Sequence, residues 1–222
     1  MSVLAVTLLV VAKAPVPGSA KTRLAATVGD QAAAEIAAAA LLDTLDAVAE
    51  TPVATRVVAL TGQLDAAAGA AEIRRRLASF AVIAQRGNDF GDRLANAHAD
   101  AAAVDGYPVL QIGMDTPQVT AGLLGDCGRR LAQSSAVLGL ARDGGWWALG
   151  VHTPALAGCL RDVPMSQPDT GARTLKALHG NGVDVTLLDE LADFDIADDV
   201  AAVRDICGPG SRFARVTRAA GL

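Results

Sequence analysis

The sequence predicts an α/β protein with a largely parallel sheet, and three observations carry that reading. Strand-like and helix-like segments alternate along all 222 residues, as repeated βαβ units do. The first strand-like run, residues 4–11, is apolar on both faces, as a strand covered by helices on each side must be. The hydrophobic fraction, 51%, rests on Ala, Leu and Val, with aromatics at only 3%. That composition suits Ala-rich helices on a Val/Leu sheet better than an aromatic-rich sandwich.

Taken in order, residues 4–11 form the first strand and run into a loop with two prolines, a glycine, two lysines and an arginine. Residues 30–49 follow as an Ala/Leu helix, 55–60 as the second strand and 65–78 as a helix ending in Arg74, Arg75 and Arg76. Cations in a last turn interact favourably with the helix dipole, so that triplet needs no ligand to explain it. Residues 79–84 are a short strand, Gly87 and Gly91 punctuate the turn after it, and a helix runs to about Val104. The strand 108–113 ends in Met114-Asp115-Thr116-Pro117, and Thr120 caps a helix over 121–133. Residues 136–140 and 146–151 are strands joined by a turn at 141–145; 155–160 and 168–179 read as helices and 183–188 as a strand. The acidic stretch DELADFDIADD leads into a last helix to about Ile206, closed by Gly208, Pro209 and Gly210. The expected organisation is one domain over 1–207 and a flexible tail over 208–222, whose Arg212, Arg215 and Arg218 mark an exposed helix or a disordered end.

Composition excludes several classes of function. A net charge of −5 argues against nucleic-acid polymers and membrane surfaces, both of which call for a positive field. A small anionic substrate needs only a local positive pocket and stays open. Cys127, Cys159 and Cys207 lie far apart with no CxxC pair, so they predict free thiols in a reducing compartment rather than a zinc site or a disulfide framework. The apolar N-terminal run is broken by Lys13 and Pro15 and lacks a basic leader, so it reads as neither signal peptide nor membrane span. The expectation is a cytoplasmic protein.

Candidate chemistry begins with lysine usage. Lysine is scarce here, with three residues against sixteen arginines, and two of the three, Lys13 and Lys21, share the first loop. A compact three-donor charge is wanted there, where a planar guanidinium would not substitute. Pro15 and Pro17 stiffen the loop, and Lys13, Lys21 and Arg23 are placed to meet phosphates. Neither the P-loop spacing nor GxGxxG is present, which excludes those two phosphate cradles. In open parallel sheets ligands bind outside the carboxyl ends of the strands, and three segments follow strands onto that edge: the lysine loop, Asp115 and the Asp143-Gly144-Gly145 turn. Asp115 is a hard oxygen ligand suited to Mg²⁺ or Mn²⁺ shared with substrate phosphates, and Asp195 is the candidate second carboxylate, Asp193 beside it. Asp198 and Asp199 belong to the first turn of a helix. In ARDGGWW, Trp146 offers a ring platform with close backbone access, whereas Trp147 reads as core. His98, His152 and His179 sit in unrelated contexts, and no nucleophile elbow is present.

In this order the segments VAKAPVPGSAKTRL, residues 85–94, IGMDTP, LARDGGWWALG and DFDIADDV resemble the bacterial DUF2064 group of GT-A-fold, glycosyltransferase-like proteins. The first of them also resembles the corresponding loop of the phospholactate guanylyltransferases. The resemblance implies a GT-A fold with the nucleotide in the N-terminal half and the acceptor in the C-terminal half. It implies that Lys13, Lys21 and Arg23 hold phosphates, that Ala12, Pro15 and Gln85 adjoin the substrate, and that Asp115 and Asp195 hold Mg²⁺ or Mn²⁺. Asp143, Gly144, Gly145 and Trp146 would border the acceptor, with Lys21, Arg23, Asp115 and Asp143 as the catalytic set. The implied partners are a nucleotide or nucleotide-sugar donor and a small acceptor, with a homodimer open. The activity implied is a metal-assisted glycosyl transfer; the alternative is a nucleotidyl transfer that releases pyrophosphate. The chain departs from the group's pattern at Gly113, where no DxD precedes Asp115, at the Gly139-Leu140-Ala141 run, which lacks the group's usual proline, and at Trp146, where tyrosine is frequent.

Overall fold

The computed structural model describes residues 3–222. The strands are β1 (Leu4–Lys13), β2 (Val53–Thr61), β3 (Ala81–Ala84), β4 (Val109–Gly113), β5 (Ala136–Ala141), β6 (Trp146–Val151) and β7 (Val185–Leu191). The helices are α1 (Thr22–Val28), α2 (Asp30–Glu50), α3 (Ala70–Leu77), α4 (Phe90–Asp105), α5 (Ala121–Leu131), α6 (Thr170–Gly180), α7 (Ala197–Ile206) and α8 (Arg212–Ala219). The strands form one seven-stranded sheet in the order β3-β2-β1-β4-β6-β5-β7. Only β6 runs antiparallel to its neighbours.

That one reversal follows from the chain. The Asp143-Gly144-Gly145 turn is too short to allow a crossover, so β5 and β6 must form a hairpin. Because β6 is antiparallel to both β4 and β5, those two strands point the same way. The carboxyl ends of β1, β4, β5 and β7 therefore share one edge, and the first residue of β6, Trp146, lies there too.

Alternation along the strands divides the core between the two faces of the sheet. Leu8, Val10 and Ala12 of β1 join Ile112 of β4 and residues of α2 and α5 on one face. Leu9 and Val11 join Val109 and the apolar side of α4 on the other. A third cluster ties α1, α2, α7 and α8 together around Phe194 and Phe213, whose ring centroids lie 4.5 Å apart.

Four elements differ from expectation. Residues 65–78 are not one helix: Gly69 turns left-handed at φ +66° and separates a 3-10 turn, Leu64–Ala66, from α3. Residues 154–162 form a 3-10 segment rather than an α-helix. The short helix α1 begins directly after Lys21, inside what the sequence presents as loop. The tail folds as α8 against α2, with Phe213 fully buried and the Ser211 hydroxyl accepting from the Ala214 N–H at 3.1 Å. Arg74, Arg75 and Arg76 do occupy the last turn of α3, where Arg74 pairs with Asp65 and Arg76 with Asp46.

Candidate active site

At the shared strand edge two adjoining cavities open. One, of about 440 Å³, is lined by Lys13, Lys21, Arg23, Asp115, Ser166 and Asp195. The other, of about 370 Å³, runs from Val11, Ala12 and Gln85 past Gln111 to Asp143, Gly145 and Trp146. Lys13, Met114, Asp115 and Ser166 belong to both.

Lys21 sets the geometry of the first cavity. Its ammonium lies 2.7 Å from Asp115 Oδ2 and 2.8 Å from Asp195 Oδ1. It also sits 4.3 Å from the centroid of the Phe194 ring, so an aromatic face backs the cation. The Lys21 side chain is only 8% exposed, whereas those of Asp115 and Asp195 are 38% and 42% exposed. The cation is thus sunk beneath carboxylates that still open onto the cleft. Burial pulls the Lys21 pKa down, but attraction to Asp115 and Asp195 outweighs it and the net shift is upward. Burial pushes Asp195 up, yet Lys21 and then Arg23 overcome that and hold it below the ordinary carboxylate value. Asp193 behaves in the opposite way: burial, then the neighbouring Asp143 and Asp195 charges, raise it to about 6.

Backbone strain gathers at the same place. Among the described residues only Lys21 (φ +48°) and Ser166 (φ +57°) are non-glycine residues with positive φ, and both line the first cavity. Left-handed conformations at such residues cost free energy and concentrate at ligand sites.

The other predicted residues are placed as follows. Lys13 reaches the rim, where its ammonium donates to the Ser19 carbonyl at 2.7 Å. Arg23 lies 3.6 Å from Asp195 and is 73% exposed, free to turn toward a ligand. Gln85 lines the second cavity, its side-chain amide fixed by donating to the Ala12 and Ala59 carbonyls at 2.8 and 2.9 Å. Asp143 Oδ1 accepts from the Gly145 N–H at 2.7 Å, which holds the turn and leaves Oδ2 for other work. Two residues are not brought to the cavities. Pro15 is buried, with its carbonyl receiving the Ala68 N–H at 2.9 Å, and so braces the loop from behind. Gly144, at φ +90°, lies so close to Pro168 that a Cβ there would stand 1.8 Å from the Pro168 carbonyl oxygen. Its own carbonyl accepts from the Gly171 N–H at 2.8 Å. Gly144 thus docks the segment before α6 over the cleft. Trp147 is core: it is 3% exposed and donates to the Asp189 carbonyl at 3.0 Å.

Sequence reading missed Phe90, Arg93, Gln111, Met165 and Ser166, all of which line the second cavity. Gln111 had a signal, since it is a polar residue at an inward position of an otherwise apolar strand. Ser166 had none, because a left-handed serine leaves no mark in composition.

Asp115 Oδ2 and Asp195 Oδ1 are engaged by Lys21, so the remaining oxygens, Asp115 Oδ1 and Asp195 Oδ2, are the ones that could hold Mg²⁺ or Mn²⁺, ions commonly held by one or two carboxylates with phosphates and water completing the shell. Among the described residues no group of three or more His, Cys, Asp or Glu side chains could hold a metal ion. Two carboxylates could hold such an ion only with ligands from outside the protein completing its shell.

A seven-stranded sheet with one reversed strand and charged groups at its carboxyl edge defines a GT-A-like α/β protein. Residues 44–167 match the family described as "Uncharacterized protein conserved in bacteria (DUF2064)", and the chain belongs to that family. No curated protein matches the sequence. Among solved structures, a candidate nucleotide-diphospho-sugar transferase from Desulfovibrio desulfuricans G20 is 23% identical, with a TM-score of 0.82 over 99% of this chain and 95% of that one. Rv0371c from Mycobacterium tuberculosis H37Rv, in complex with manganese, is 18% identical, with a TM-score of 0.54 over 89% and 97%. A cytidylyltransferase from Leptospira borgpetersenii is 14% identical, with a TM-score of 0.58 over 97% and 93%. These likenesses establish the fold. No helix among the described residues is long and apolar enough to cross a membrane.

Proposed function

We propose that the protein is a nucleotide-dependent transferase, and specifically a glycosyltransferase that uses a nucleotide-activated sugar. The observation that carries this reading is the Lys21 ammonium held between Asp115 and Asp195 in a cleft shared with Lys13. Carboxylates and cations from separate strand ends are costly to gather at one concave edge unless they meet a charged ligand. The candidate nucleotide-diphospho-sugar transferase among the structural neighbours supports the same class.

In this reading Asp115 and Asp195 hold Mg²⁺ or Mn²⁺, which when bound neutralises charge on the donor's diphosphate. Lys13 and Arg23, which line the same cleft, meet the phosphate oxygens. Lys21, anchored from below, fixes where both carboxylates point. As the acceptor oxygen bonds to the sugar's anomeric carbon and the bond from that carbon to the diphosphate breaks, Lys13 and Arg23 stabilise the charge that grows on the leaving nucleoside diphosphate. Asp143 Oδ2 is the group placed to take the acceptor hydroxyl proton, with Gly145 and Trp146 bordering the acceptor.

A second reading, nucleotidyl transfer from a nucleoside triphosphate, is favoured by one feature. The carboxylates come from the ends of two different strands, after β4 and after β7, with Gly113 where a DxD motif would begin. The Leptospira cytidylyltransferase among the structural neighbours lends it support as well. Incubation with nucleotide sugars and with nucleoside triphosphates, each with Mg²⁺ or Mn²⁺ and a pool of small hydroxylated acceptors, separates the two. Nucleoside diphosphate release from a sugar nucleotide supports glycosyl transfer, and pyrophosphate release from a triphosphate supports nucleotidyl transfer. Neither product, with every donor and a folded protein, would refute a transferase.

A further inference from the structure

Two buried polar groups in the second cavity have no role in the site as described so far. Gln111 stands in the middle of β4, beside Leu9 of β1 and Leu149 of β6. It is 2% exposed, and its Oε1 has no hydrogen-bond partner within the protein. Arg93, on the first turn of α4, carries its guanidinium carbon 5.5 Å from the centroid of the Phe90 ring, and its Nε is likewise buried and unpartnered. Both residues line the same cavity. Native structures rarely leave a buried acceptor and a buried donor unpaired, because each then forfeits the water it gave up. An occupant that satisfies both explains why they are kept.

We propose that Gln111 and Arg93 determine the specificity of the donor, and that they select a nucleobase with a carbonyl beside a ring nitrogen, which excludes adenine. The inference rests on the transferase reading above. The cavity meets the cationic one at Lys13 and Asp115, so a donor with its phosphates on the cationic side places its adjoining part here. Apolar groups of β1 and α4, Val11, Phe90 and Leu94, line this end and suit the faces of a flat ring. The Gln111 amide can turn to accept through Oε1 or to donate through Nε2, so it meets a ring nitrogen with or without a hydrogen; Arg93 Nε–H only donates and calls for an electron-rich oxygen. Guanine, uracil and cytosine each carry a ring nitrogen beside a carbonyl on one edge. Adenine has no carbonyl and sets its exocyclic amino group against the Arg93 donor. A site built to bond such an edge rejects an analogue that lacks it, because its own buried groups are then left unpaired. The Asp143 to Trp146 end remains for the acceptor.

The test is calorimetric titration of ADP, CDP, GDP, UDP and inorganic pyrophosphate, each with Mg²⁺, into wild type, Gln111→Leu and Arg93→Met. The expected result is weaker wild-type binding of ADP than of GDP, UDP and CDP, with the ratio of best to worst base falling roughly tenfold in each variant. Pyrophosphate affinity should stay within about twofold, since its site lies in the other cavity. A preference for ADP, equal binding of all four, or a preference unmoved by the substitutions would overturn the inference alone. A wild type that binds none of the five would remove the transferase reading together with it. Should one variant fail to fold, the other decides.

Discussion

Two clusters in this molecule are built alike, yet they do different things. At the strand edge Lys21 sits between Asp115 and Asp195; on the helical layer Arg212 sits among Asp43, Asp46 and Glu72. Each is one cation ringed by carboxylates from distant parts of the chain. The Lys21 carboxylates stay more than a third exposed and border a cavity. Asp43 is 9% exposed at its side chain and spends its oxygens on the Ser211 hydroxyl and the Arg212 and Phe213 N–H groups. Arg212 and its partners therefore clamp α8 onto α2, and little capacity is left for a ligand. Charge alone does not mark a site; half-open acceptors over a sunken cation do. The two clusters are joined by contact, since α8 carries Phe213 against Phe194, whose ring backs Lys21.

The largest expected effect comes from disarming the first cluster. Asp115→Asn with Asp195→Asn should lower turnover by about 10³-fold or more, the loss of several kcal/mol of charge stabilisation. The melting temperature should also fall, because Lys21, only 8% exposed, loses both anionic partners, so turnover is read on the folded fraction. Steady-state kinetics beside a thermal scan checks this, and comparable losses in Arg212→Ala would erase the contrast between the clusters.

Lys21→Ala should cost less, about 10- to 100-fold in turnover, since Lys21 aims the carboxylates and does not replace them. Arg212→Ala should act the other way round. It leaves the nearly buried Asp43 without its cation and should destabilise the fold by roughly 2–3 kcal/mol, read from the urea midpoint, while the turnover of the folded fraction is kept.

The smallest distinction is in pH. Lys21 is raised above its ordinary 10.5, so its contribution is fully present below that value and is lost only as pH rises past it. Asp195 is depressed, so its contribution is lost only below its ordinary 3.8. Neither should move stability between pH 6 and 9. The acid limb belongs instead to His98, whose pKa burial drives from 6.5 to about 3. The folded chain keeps His98 neutral while the unfolded chain takes up a proton, so its contribution is lost as pH falls below about 6.5; Asp193, raised to about 6, acts the other way and largely offsets that loss down to its ordinary 3.8, so the net fall is steepest below that. His98→Leu should flatten that limb relative to wild type, by up to roughly 3–5 kcal/mol at pH 3.

Much of this was legible in the sequence for identifiable reasons. Periodicity marked the seven strands, and the scarcity of lysine pointed at Lys13 and Lys21. The strand-end rule put Asp115 beside the lysine loop, and Asp195 joined it across a longer connection. What stayed hidden depends on contacts between distant segments. Nothing local says that Lys21 faces carboxylates before it faces a phosphate, or that Gly144 is spent on Pro168. The tail resembled a loose end because Arg212, Arg215 and Arg218 dominate its pattern; Phe213, its lone aromatic, was the cue to docking. Gly139 was read as part of a departure from family pattern, yet its role is spatial: a Cβ there would lie 2.4 Å from Trp147 Nε1.

The most direct test is Mn²⁺ binding, followed by electron paramagnetic resonance, with and without GDP or UDP, in wild type and in the Asp115→Asn, Asp195→Asn double variant. The account predicts that wild type takes up Mn²⁺ together with the nucleotide and that the double variant, though folded, does not. Equal Mn²⁺ uptake by the two proteins would contradict it.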